Sequence, residues 1–185
     1  MIWGGRTVVC IGSGPSLLVE DCALVRDSGL TTIVTNTTFR LCPWAHVLFG
    51  FDAKWWKHYR DEVATFRGEK ISSSRLAEKY GARTIVLGFR NSGACAITLA
   101  MSRGAARVVL LGYDAMFDET RRHWHDDHPA GMENAGMMAD WPRQFELVAK
   151  TARRRGVEII NASRRTRLTC FPVMPLEDAL CVVAA

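Results

Sequence analysis

Arg6-Thr7-Val8-Val9-Cys10-Ile11-Gly12-Ser13-Gly14-Pro15-Ser16-Leu17 decides how this chain folds. Its β-branched apolar run reads as a buried strand, and the strand ends directly in a turn with two glycines. Residues 17–28 then read as a helix, with apolar positions at Leu17, Leu18, Cys22, Ala23 and Val25 and a stop at Gly29. Glycine permits a tight turn and the close approach of an anion. A helix start adds N–H groups without partners and the positive end of the helix dipole. Gly12, Ser13, Gly14, Pro15 and Ser16 are therefore candidate nucleotide-binding residues, with Pro15 in the first helical turn and Ser13 or Ser16 as its cap. A plain strand-to-helix turn without a ligand accounts for the same residues.

The same alternation continues outward. Strands are expected at 31–35, 46–49, 84–87, 107–111 and 157–160, and helices at 54–66, 93–103 and 140–155. The strand runs are apolar along their length, as strands covered on both faces are. Strands alternating with helices predict an α/β fold, a single Rossmann-like three-layer domain over residues 1–185 with a mainly parallel, doubly wound sheet. Residues 68–82 are polar and carry no clear pattern. Residues 117–139, rich in His, Asp, Gly and Met, read as a long loop, a feature that in compact domains is usually functional.

Composition sets the outer bounds. With 48% hydrophobic and 23% charged residues, the 185-residue chain is that of an ordinary globular protein. No apolar run reaches the roughly 20 residues that span a bilayer, and the N-terminal residues lack a signal-peptide layout. The expectation is a cytoplasmic protein. Six cysteines without a CxxC spacing read as small buried hydrophobes. The net charge of +5 comes mainly from arginines such as Arg153, Arg154, Arg155, Arg164, Arg165 and Arg167. These read as a solvated helix end and loop, with a site for an anionic partner as the alternative.

Other candidates lie past the ends of later strands, where ligands bind in open α/β sheets. Asn36 follows the second strand, where dinucleotide enzymes carry an acid. Leu17 stands where their third glycine would be, which argues against NAD. No Gly-Lys-Ser/Thr follows a glycine-rich turn, which excludes a P-loop. Asp52 lies on the rim after the third strand, as ligand contact or as helix N-cap. Asn91, Ser92 and Gly93 open a helix after the next, and Asp114, a candidate catalytic residue on the same rim, ends Leu111-Gly112-Tyr113-Asp114.

His123-Trp124-His125-Asp126-Asp127-His128 matches the HxHxDH signature of dinuclear metallo-hydrolases. That chemistry needs a further histidine downstream, and His128 is the last in the chain. The signature should also follow an apolar strand, but charged residues precede it. His123, His125 and His128 remain as candidate acid–base groups, as ligands of a weaker metal site, or as hydrogen-bonding members of a hydrated loop.

Taken together, Gly12-Ser13-Gly14-Pro15-Ser16-Leu17, Asn36, Asn91-Ser92-Gly93 and Gly112-Tyr113-Asp114 resemble the MptE-like group. That group is named for archaeal 6-hydroxymethylpterin diphosphokinase and includes many phage and prophage proteins. The layout is also similar to the bacterial sialyltransferases that use CMP-sialic acid. The match runs from about Thr7 to Asn161. The resemblance implies a nucleotide held by Ser13, Gly14, Asn36, Ser92 and Gly93, and a general base among His123, His125 and His128. This chain has Ser13 where the sialyltransferases carry asparagine, and Met116 where a phosphate-binding tyrosine is expected.

Three functions follow as expectations. The first is a transferase, glycosyltransferase-like, that takes a nucleotide-activated donor; the acceptor is left open. The second is an MptE-like diphosphokinase using ATP and Mg²⁺, with Asp52, Asp114 or the Asp126-Asp127 pair as oxygen ligands. The third is a non-catalytic phage accessory protein that binds a nucleotide or a host partner. No cofactor is implied beyond the Mg²⁺ of the second reading. The apolar tail, 168–185, packs either on its own sheet or on a second copy in a homo-oligomer.

Overall fold

The structure, a computed structural model, describes residues 2–118, 121–126, 128–129, 132 and 138–181. The elements run β1 (Thr7–Ile11), α1 (Val19–Asp27), β2 (Thr31–Thr35), β3 (Val47–Gly50), α2 (Ala53–His58), α3 (Arg60–Ala64), β4 (Glu69–Ser72) and β5 (Arg83–Thr84). They continue with α4 (Ser92–Ser102), β6 (Arg107–Leu111), α5 (Trp141–Arg154), β7 (Glu158–Asn161) and α6 (Leu176–Cys181). The strands form one sheet in the order β5-β4-β3-β2-β1-β6-β7, with every pairing parallel. The α/β, doubly wound architecture expected from the sequence is the one found.

Two apolar layers sandwich the sheet. Val8, Cys10, Val108 and Leu110 face α4 and α5, packing on Cys95, Leu99, Phe145 and Val148. Val9, Ile11, Val109 and Leu111 point the other way, onto Cys22, Val25, Trp55, Trp56 and Ala179. Both faces of β1 and β6 are buried, which is why their sequences are apolar throughout rather than alternating.

Chain order reverses between β1 and β6, the crevice where open α/β sheets bind ligands. Register brings the strand ends level there: Ile11 pairs with Val34 on one side and with Leu111 on the other. Gly12, Asn36 and Gly112 thus emerge close to one edge.

Several expected elements differ. Of the run 84–87 only Thr84 is strand, as the second residue of β5, because the run lies at the sheet edge, where Val86 is 84% exposed. The polar segment 68–82 hides β4, whose Ile71 is its one large apolar residue and is fully buried. The helix expected at 54–66 is broken at Tyr59 into α2 and α3. Helix α1 starts at Val19 with Leu18 as its N-cap, so Pro15 lies outside the helix, and neither Ser13 nor Ser16 caps it.

The described tail packs on its own sheet. Leu168, Phe171, Leu176 and Ala179 are buried, and the Asn161 N–H donates to the Pro172 carbonyl at 2.8 Å. The four buried cysteines are free, as are Cys170 and Cys181. Arg164 holds buried Asp21 with two hydrogen bonds of 2.8 Å, and Arg165 pairs with Asp118 at 3.0 Å. Those two arginines are therefore tied into the structure, whereas Arg153, Arg154 and Arg155 are exposed. No helix among the described residues is long and apolar enough to cross a membrane.

Candidate functional site

A cleft of about 760 Å³ opens at the switch point. Its lining includes Gly12 to Pro15, Asn36, Asp52, Asn91 to Gly93, Asp114, His123 and His128. Ser16 and His125 do not line it. Lys54, Arg90 and Arg122 also line it and bring positive charge to the site.

The first turn is built from the inside of the sheet. The Gly12 N–H donates to the Leu111 carbonyl at 2.7 Å and the Gly14 N–H to the Gly112 carbonyl at 2.8 Å. A Cβ on Gly12 would sit 2.6 Å from the Gly112 oxygen, and one on Gly14 2.7 Å from the same atom. These glycines exist because the backbones leaving β1 and β6 touch. Ser16 then gives its N–H and its hydroxyl to the two Asp114 oxygens, at 2.7 and 2.9 Å, and the Leu17 N–H bonds the Gly14 carbonyl at 3.1 Å. Pro15 has no N–H. Of the N–H groups from Gly12 to Leu17, that of Ser13 is the one these bonds leave for a ligand.

Asp114 is 1% exposed. Burial pushes its carboxyl above the usual aspartate value, opposed by the two Ser16 hydrogen bonds and by Arg165. Its carboxylate braces the first turn, which makes it a positioning group. Asp52 caps α2, accepting from the Lys54 N–H at 2.8 Å.

The second turn is arranged differently. Asn91 caps α4 by accepting from the Ala94 N–H at 2.9 Å. A helix start has orphan donors, and the cap leaves those of Ser92 and Gly93 over. Tyr113 donates to the Gly93 carbonyl at 3.2 Å. Burial raises its phenol well above the ordinary value, so it serves as a neutral brace. Ser92 Oγ lies 3.3 Å from Asn36 Oδ1. Asn36 has φ of +48°, a left-handed conformation that asparagine tolerates, so the strand end and the helix start form one wall.

The histidine segment straps across these parts. The Trp124 N–H donates to the Ser13 carbonyl at 3.2 Å, and its indole N–H to Thr38 Oγ1 at 3.2 Å. Thr38 in turn donates to the Gly12 carbonyl at 3.0 Å. His123 Nδ1 is 3.3 Å from Ser13 Oγ, His128 Nδ1 is 3.2 Å from the Tyr59 hydroxyl, and His125 Nδ1 is 2.5 Å from the Asp126 carbonyl. The three ring centroids lie 4.9, 5.0 and 5.4 Å apart. Among the described residues, no group of three or more His, Cys, Asp or Glu side chains is arranged to hold a metal ion. Asp126 is exposed, and Asp127, the other half of the expected acidic pair, lies outside the described residues.

The structure therefore gathers most of the residues expected at the site and adds others that carried no expectation: the cations Lys54, Arg90 and Arg122 in the lining, and Thr38, Tyr59, Tyr113 and Trp124 in the hydrogen bonds around it. Thr38, Tyr59 and Tyr113 each bring a hydroxyl to an atom of the cleft wall, and Trp124 reaches that wall through its backbone N–H and supports Thr38 through its indole N–H. Only the position of Tyr113, beside Asp114 past a strand end, carried a signal in the sequence.

No family model matches this chain, and no curated protein matches it. Among solved structures, the chain is similar to the sialyltransferase CstII from Campylobacter jejuni, solved in complex with the substrate analogue CMP-3FNeuAc. Identity is 12%, the match covers 91% of this chain and 84% of that one, and the TM-score is 0.48.

Proposed function

We propose that this protein is a glycosyltransferase-like enzyme that transfers a group from a nucleotide-activated donor to an acceptor. The observation that carries the reading is the convergence in one cleft of Ser13, the Asn36–Ser92 wall, the α4 N-terminus and two histidines. Backbone donors and cations suit the anionic nucleotide. A histidine from the strap, His123 or His128, suits removal of a proton from an acceptor hydroxyl.

The donor groups fit a Mg²⁺-dependent diphosphokinase less well. A divalent ion held on ATP asks for carboxylate oxygens turned toward the phosphates. Asp114 is bound to Ser16 through both oxygens, and one oxygen of Asp52 caps α2.

Thermal-shift measurements with CMP, CDP, UDP, ATP and GTP, each with and without Mg²⁺, test the reading. The expected result is stabilisation by a nucleotide that persists in excess chelator. A shift with ATP only when Mg²⁺ is added would favour the diphosphokinase. No shift with any nucleotide would remove both enzymes and leave a non-catalytic partner-binding protein.

A further inference from the structure

We infer that the two cleft histidines have separate tasks: His123, paired with Ser13, serves the departing phosphate of the donor, and His128 takes the acceptor's proton. This rests on the transferase reading above and assigns chemistry within that site.

The first turn has few backbone donors to offer a phosphate. Four of its N–H groups are engaged within the protein and Pro15 has none. A phosphate arriving there meets the Ser13 N–H, the Ser13 hydroxyl and the imidazole beside that hydroxyl. Negative charge that backbone donors would neutralise in a phosphate loop must here be met by a side chain.

Ring orientation points the same way. His123 Nε2 is buried from solvent, and Nδ1 is the edge turned toward the turn. The bonds from Trp124 to Ser13 and Thr38 clamp the residue next to His123 onto the β1 end, which holds the imidazole there. His128 is held from elsewhere, by Tyr59 at the junction of α2 and α3, and still lines the cleft. His125 does not line the cleft and lies behind these two rings.

The step balances. The acceptor oxygen bonds to the transferred carbon as that carbon's bond to the phosphate oxygen breaks, and the bonding pair leaves with the phosphate. The acceptor's proton passes to His128. His123, in the tautomer with its proton on Nδ1, donates that N–H to the phosphate oxygen on which charge develops, the kind of stabilisation that usually dominates such catalysis.

The test compares binding of each ribonucleoside 5′-monophosphate with binding of its own nucleoside, by calorimetry, in wild type and in His123→Ala, Ser13→Ala and His128→Ala. His123→Ala is expected to lose about tenfold or more in monophosphate affinity, as loss of a hydrogen bond to a charged group implies, with nucleoside affinity unchanged. Ser13→Ala should show a smaller loss of the same kind. His128→Ala should bind both ligands as wild type does while failing to turn over a donor. Equal loss of nucleoside and monophosphate in His123→Ala would show a structural ring and overturn the assignment. Unchanged monophosphate binding would overturn it too and move the phosphate to the α4 N-terminus. Absence of binding to any ligand by the wild-type protein would instead sink the transferase reading beneath it.

Discussion

The turns at 12–16 and 91–93 both contribute to the cleft lining, the first through Gly12 to Pro15, and both carry glycine and serine, yet their backbones do opposite things. In the first, hydrogen bonds to Leu111, Gly112, Asp114 and Gly14 engage nearly every N–H, and the glycines let β1 and β6 touch. In the second, one asparagine caps the helix and leaves the Ser92 and Gly93 donors over. Glycine and serine in a turn beside a cleft thus accompany two different backbone roles, close contact of strand ends and a display of unused donors. What separates them is where the N–H groups go. The first turn is mainly architecture, and the second is mainly a donor array.

Substitution of the first turn should therefore act on stability before it acts on binding. Gly14→Ala carries the largest expected effect. Its Cβ would lie 2.7 Å from the Gly112 carbonyl and in collision with the Asp114 carboxylate, neither of which is a flexible chain end. A loss of about 3 kcal/mol, the upper part of the range for overpacking, is expected in urea denaturation. Gly93→Ala instead meets the ring edge of Tyr113 at 2.8 Å, and should cost less stability while lowering nucleotide affinity. If the two variants exchanged these effects, the contrast between the turns would fail.

Asp114 comes next. Asp114→Ala orphans the Ser16 N–H and hydroxyl and is expected to cost about 2 kcal/mol, within the range for hydrogen bonds to a charged group. Because burial raises its pKa, the folded state holds the proton more tightly than the unfolded chain does. The stability from this group is complete below the ordinary aspartate value and is lost as pH rises through the raised one. Asp114→Asn should flatten that fall in a series of melts across the acidic range. A fall of unchanged size would show that other groups produce it.

The comparison also marks how far the sequence could be read. Strands β1, β3 and β6 were legible because strands buried on both faces carry unbroken apolar runs, here Val8–Ile11, Val47–Phe49 and Val108–Leu111, and β2 was legible from its β-branched Thr-Thr-Ile-Val-Thr run. Strand β4 was hidden because Glu69 and Lys70 leave Ile71 as its one large apolar residue, and the break at Tyr59 lies inside a continuous helical pattern. At the site, Asn36 was legible from its place after a strand, and Asn91, Ser92 and Gly93 from opening a helix. The engagement of the first turn was not, because it depends on Gly112 and Asp114, about 100 residues away. A contact of that separation leaves no local pattern.

On the donor side, Asn91→Ala should cost about 1 kcal/mol, the usual value of an N-cap. It should also weaken nucleotide binding, since the first turn of α4 frays with its cap. Urea denaturation with and without nucleotide separates the two effects. A stability loss with unchanged affinity would mean that Ser92 and Gly93 do not hold the ligand.

The smallest expected effect is a gain. Ala115, next to Asp114 on the cleft wall, has φ of +50°, a conformation that costs an L-residue about 1–2 kcal/mol. Glycine removes that strain but adds about 0.5–1 kcal/mol of entropy to the unfolded chain. It also gives up the packing of a half-buried methyl group against the α4 side of the sheet. Strain relief should win narrowly, so Ala115→Gly is expected to stabilise by about 0.5 kcal/mol. If the strain belongs to the architecture of the Gly112–Asp114 turn, as the packing at Gly12 and Gly14 argues, nucleotide affinity should not change. A more stable variant that binds nucleotide several-fold more weakly would show instead that the strained residue helps to form the ligand's wall, and would move this side of the cleft from architecture to binding.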